Sequence, residues 1–181
     1  MESIPGFSIE SMNTLTSLLT AFVAASSLAQ HPAMPAGMTH EQHLALLKKE
    51  EDLKKRGAAA MGFDQDKTTH HFLLAADGGS IEVAANDPSD QESREQIRGH
   101  LKEIAAEFAR GSFARPLATH NELPPGVRTM QQRQRAIVYQ YENIANGGRV
   151  RISTADRKTI AAIHEFLRYQ IREHATGDPV K

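Results

Sequence analysis

Nine histidines and six methionines in a chain with no cysteine are the residues with most chemistry to offer here. Without thiols there can be no disulfides, thiolate nucleophiles, zinc ribbons or cysteine-held clusters, so imidazole and thioether are the available soft ligands. Their densest grouping is HPAMPAGMTHEQH, in which His31, Met34, Met38, His40 and His43 follow one another along a Pro-broken stretch. On a flexible arm such a set suits copper in either oxidation state outside the cytoplasm, and these five are the candidate metal ligands. The competing reading of the same stretch is a plain linker rich in Pro, Ala and Met.

The next grouping is KTTHHF, with His70 and His71 adjacent. Neighbouring side chains of a strand point to opposite faces, so His70 joins Phe72 and Leu74 on the core side while His71 faces water beside Glu82. The two cannot bind one ion. His164 lies within the apolar stripe of AIHEFLRYQIREH and is expected to be buried, where an imidazole needs a partner. His164 and His70 are therefore the candidate buried functional histidines. His164-Glu165 begins like a zincin HExxH, but position 168 is Arg and the second ligand is missing. Helical rise separates His164 from His174 by roughly 15 Å, too far to share an ion, and Leu101 rather than His100 corresponds to His164 in the neighbouring helix. No nucleophile elbow, Walker loop or dinucleotide fingerprint occurs, and no catalytic or cofactor-binding residue is assigned.

These residues must be positioned by an α+β domain. Two segments, THHFLLAADGGSIEVAA and IVYQYENIANGGRVRIST, alternate as antiparallel strands around Asp77-Gly78 and Asn146-Gly147, the dipeptides favoured in type I′ turns. Centring the turns there pairs Leu74 with Ile81, Phe72 with Val83, Tyr141 with Ile152 and Asn143 with Val150. Each hairpin is followed by an apolar stripe of helical period, Ile97, Leu101, Ile104 and Phe108 in one case and Ile160, Ile163, Leu167 and Ile171 in the other. The expected architecture is a duplicated ββα unit, over 67–110 and 136–175. It forms a four-stranded antiparallel sheet with two helices on one face, and residues 111–135 cross between the units. Before it, Thr39 and Gln42 make a capping box for an N-terminal helix expected to end at Gly57. This divides the chain into a signal segment over 1–29, a His/Met arm and solvated helix over 30–60, and one α+β domain over 61–178.

A formal net charge of -1 in 181 residues, without a basic stripe, argues against a nucleic-acid partner and against binding to anionic lipid. Leu15 to Ala25 is an apolar run of signal-peptide length, too short to span a bilayer, and Ser27 and Ala29 suit cleavage before Gln30. Met1 to Asn13 carries two glutamates and no basic residue, and a start at Met12 would remove both acids. The expectation is a bacterial protein that is periplasmic or secreted, with no stable membrane insertion after cleavage. An exposed sheet edge would allow pairing with a second subunit.

MGFDQDKTTHHF, NGGRVRIST and AIHEFLRYQIREHATGD, together spanning Met61 to Asp178, resemble a family of small exported bacterial proteins with no established activity. The resemblance implies export and nothing about mechanism. The expected function is a small non-enzymatic binding module for a transition metal, copper first, or for haem or a partner protein. The alternative is a small hydrolase or isomerase using His164 as general acid or base, with His70 and Tyr139 nearby.

Overall fold

The computed structural model describes residues 34–181, of which Ala36–Lys181 form one compact unit. The segment expected to act as a signal and His31 lie outside the described residues. Helix α1 spans His40–Met61. The Gln42 N–H donates to the Thr39 hydroxyl at 3.2 Å and the Thr39 N–H donates to Gln42 Oε1 at 2.9 Å, the reciprocal capping box expected from sequence. The helix does not stop at Gly57. Gln65 folds across that glycine to donate its amide to the Lys54 carbonyl at 3.0 Å, and the stop is Gly62, at φ 73°.

Strands β1 (Thr68–Ala75), β2 (Gly78–Ala85), β3 (Val138–Ile144) and β4 (Gly147–Ser153) form one antiparallel sheet in the order β1-β2-β4-β3. The register differs from the expected one by two. Phe72 faces Ile81 and Tyr141 faces Val150, so the two-residue turns are Ala76-Asp77 and Ala145-Asn146. The Asp-Gly and Asn-Gly preference for type I′ loses because both Gly-Gly pairs are drawn into the central strands. A side chain on Gly78 would meet the Ile152 carbonyl, and one on Gly147 the Val83 carbonyl. The turn carbonyls of Asp77 and Asn146 then accept the N–H groups of Thr154 and Ala85, at 2.9 and 2.8 Å. A slip of two leaves every side chain on its expected face.

Phe72, Ile81, Val83, Val150 and Ile152 accordingly line the buried face. Helix α2 (Gln91–Ala109) covers β3, β4 and part of β2 with Ile97, Leu101, Ile104 and Phe108, while α5 (Arg157–Glu173) covers β1 and β2 with Ile163, Phe166, Leu167 and Ile171. The α+β class, the four-stranded antiparallel sheet and the N-terminal helix are those read from sequence. On the wet face Arg149 bridges Glu82 at 2.7 Å and Glu142 at 3.3 Å, a half-exposed ladder that contributes little to stability.

The crossover holds more structure than a connection needs. It contains α3 (Ala114–His120) and α4 (Val127–Gln132), anchored by fully buried Val127 and Met130. Helix α1 is tied to it by Arg56, which donates to the Thr119 carbonyl at 2.8 Å, and to α5 by an ion pair of Lys49 with Glu173 at 3.1 Å. Beyond α5 the chain turns back through Ala175 and Gly177, both at positive φ, to bring Asp178 against outer strand β1. There the Phe72 N–H donates to Asp178 at 2.9 Å, which closes part of that edge. Among the described residues no helix is long and apolar enough to cross a membrane.

Candidate functional site: a cavity lined by histidines

The expected candidates do not gather at one place. His164 is half-buried, and its Nε2 bonds the Ala75 and Gly78 carbonyls at 2.9 and 3.0 Å. Two carbonyl acceptors require that nitrogen to carry the proton, so His164 ties the β1–β2 turn to α5. His71 is exposed and pairs through Nδ1 with Asp178 at 2.8 Å. Although burial opposes it, that contact, the Phe72 N–H and the Thr176 hydroxyl hold the Asp178 carboxyl below its usual range. Tyr139 lies on β3, with β4 and β2 between it and His70 on β1, roughly 14 Å across the sheet. Its hydroxyl is buried without a partner, and burial pushes the phenol up. Within the arm, Met34 and His40 are exposed, Met38 is partly exposed, and His43 is buried with Nδ1 unpartnered.

What the fold does bring together is His70 of β1, His100 of α2, His120 of α3 and His174 at the end of α5, around a cavity of about 70 Å³. That is room for a few waters or one ion with a small ligand. Each imidazole arrives by a different route. His70 alternates inward with Phe72 and stacks with Phe63 and with His174, at a centroid distance of 5.9 Å in each case. His174 caps α5 one turn past Gln170. Its ring meets His120 edge to face at 5.2 Å. His120 ends α3, whose next residue, Asn121, turns into the left-handed region at φ 56°.

The hydrogen bonds of these rings are incomplete. His120 Nε2 lies 2.9 Å from Gln170 Oε1, so it donates there and its Nδ1 is left bare, buried and unpartnered. His70 Nε2 and Gln170 Nε2 are buried without partners as well. Exchanging the two ends of the Gln170 amide would still leave His120 Nδ1 alone. Orphaned buried polar atoms are rare in folded proteins, and here three of them surround one cavity. His100 differs, because Arg115 approaches its Nδ1 at 3.4 Å while the same guanidinium pairs with Glu107 and Glu103.

Burial dominates the electrostatics. It pushes His70 and His100 down to about 4 and His174 to about 3, with like charge from neighbouring imidazoles or Arg115 adding to the effect. For His120, burial outweighs the pull of Gln170 and of the Glu173 and Glu122 carboxylates, and the pKa is again lowered. All four rings are therefore neutral near pH 7, the state in which an imidazole nitrogen can ligate a metal or accept a hydrogen bond.

Two imidazoles that share an ion at the usual nitrogen–metal distance of about 2.0 Å have centroids roughly 5–6 Å apart. His70 with His174 at 5.9 Å and His174 with His120 at 5.2 Å meet that spacing. The planes of His70 and His174 lie 12° from parallel. Among the described residues no three His, Asp or Glu side chains already converge as an ion requires.

Comparison of the chain with protein-family models, curated proteins and solved structures finds no match. The site rests on its own geometry. Sequence pattern pointed to His70 but passed over His120, Gln170 and Met61, and it set His174 aside for its distance from His164. The usable signal was a histidine at or just past the end of two helices, His120 and His174; which rings meet is decided by contacts 50 to 104 residues apart in the chain, such as His120 with Gln170 and His70 with His174.

Proposed function

We propose that this protein is a small exported binding module whose ligand is a transition-metal ion, held in the cavity by His70, His120 and His174. The observation that carries the reading is His120. Its Nε2–H is fixed on Gln170 Oε1 while the opposite nitrogen, bare and buried, has nothing to bond. Metal-ligating histidines are oriented in this way by an outer hydrogen bond that sets the tautomer and aims the free lone pair. His70 supplies a second orphaned nitrogen, and His174 lies between the two rings. The polarity and burial of the cluster would otherwise destabilise the fold without return, since neutral imidazoles in an apolar core cost free energy unless something satisfies them.

Export is proposed from the run Leu15 to Ala25 and the SSLAQ that follows, which lie outside the described residues. An acid–base role for His164 receives no support from its position, because its Nε2 is engaged with two backbone carbonyls. Elemental analysis and a visible spectrum of the protein isolated from its native compartment test the reading. Near-stoichiometric transition metal is expected. A metal-free protein that also takes up neither copper nor zinc on titration would sink it.

A further inference from the structure

We infer that the cavity is built for a soft monovalent ion, copper(I), with Met61 as a thioether ligand beside the imidazoles. The inference rests on the metal reading of the cavity given above. Met61 is the last residue of α1, partly buried, and it lines the same cavity as His70, His120 and His174. Three neutral imidazoles and a thioether are donors that suit copper(I), and a thioether discriminates against harder dications.

Charge gives a second, independent argument. None of the residues lining the cavity is Asp, Glu or Cys, so no anionic donor is available to neutralise an ion there. The charged group at the wall is Arg115, a cation, whose carboxylate partners Glu103 and Glu107 already pair with it. The cost of moving an ion out of water rises with the square of its charge, so a dication in this apolar site costs about four times as much as a monocation. Zinc(II) held by three neutral imidazoles ordinarily keeps a bound water or hydroxide that offsets part of that cost. Copper(I) is satisfied by two or three neutral ligands. His174 lines both the cavity and a surface cleft of about 350 Å³ between α1 and the end of α5.

The test uses the full chain under anaerobic conditions. Copper(I) affinity is measured by competition with bathocuproine disulfonate, silver(I) serves as a redox-inert monocation, and zinc(II) and copper(II) represent the dications. Met61→Leu, which keeps the apolar volume, should weaken copper(I) and silver(I) about tenfold, leave zinc(II) within about twofold, and remove sulfur scattering from the copper X-ray absorption spectrum. Unchanged copper(I) affinity in that variant, or zinc(II) binding at the cavity as tightly as copper(I), overturns the inference. Failure of the underlying metal reading looks different. In that case His120→Ala and the milder His174→Gln leave the affinities of all four ions unchanged.

Discussion

Acidifying the metal-free protein should unfold it well before the carboxylates titrate. In the unfolded chain each histidine binds a proton near pH 6.5, whereas burial holds His70 and His100 at about 4 and His174 at about 3 in the folded protein. These folded pKa values are depressed, so near pH 7 neither state binds much proton and stability is unaffected. As pH falls through 6.5 the unfolded state gains protons that the folded state refuses, and stability drops until the folded values are reached near pH 4. Between pH 7 and 5 each ring costs about 1.8 kcal/mol, or about 5 kcal/mol for the three. That is comparable with the whole stability of a small domain. The groups facing these rings do not cancel the effect. Arg115 and His71 reinforce it, and the Glu122 and Glu173 carboxylates near His120 leave that ring lowered too. Urea unfolding followed by circular dichroism in the presence of a chelator, at half-unit steps from pH 7.5 to 5, measures it. His70→Phe, which retains the stacking with Phe63 and with His174, should remove about a third of the slope. A midpoint that stays level from pH 7 to 5 would show that the rings are solvated and the cavity open, contrary to the reasoning.

Two further outcomes check the fold that holds the cavity. His164→Ala deletes the donor shared by the Ala75 and Gly78 carbonyls and should lower stability by about 1–3 kcal/mol while leaving metal affinity unchanged, as chemical denaturation and a metal titration of the same sample would show. Gly147→Ala forces a methyl group against the Val83 carbonyl and should cost about 1–3 kcal/mol, whereas Gly99→Ala, in α2 with open space around it, should stabilise by about 0.5–1 kcal/mol; thermal melts of the pair report both signs.

Strand alternation and helical periodicity were legible in the sequence because they are local, and they placed Phe72, Ile97, Leu101, Phe108, Ile163 and Leu167 in the core. The hairpin register was misread by two. A dipeptide's preference for positive φ was weighed there without the close β2–β4 approach that claims Gly78 and Gly147 for the strands. Gly57 was misread as a stop for the similar reason that a side chain eight residues away, Gln65, covers the helix at that point. The cavity was less legible still. His120 sits in a segment with no periodic signal, read only as a crossover, and its significance comes from Gln170, 50 residues away. His174 was visible, but distance along one helix says nothing about a strand residue such as His70 that packs against the helix end. Ligand sets assembled from separate elements leave no spacing rule in the chain.

The measurement that bears most directly on the central claim is a copper(I) competition titration of the full chain and of two variants, one with His31 and His40 replaced by Ala and one with His120 and His174 replaced by Ala and Gln. One tight equivalent should survive loss of the arm histidines and disappear with the cavity pair. A tight equivalent that persists without His120 and His174 but vanishes without His31 and His40 would contradict binding in the cavity and return the metal to the arm.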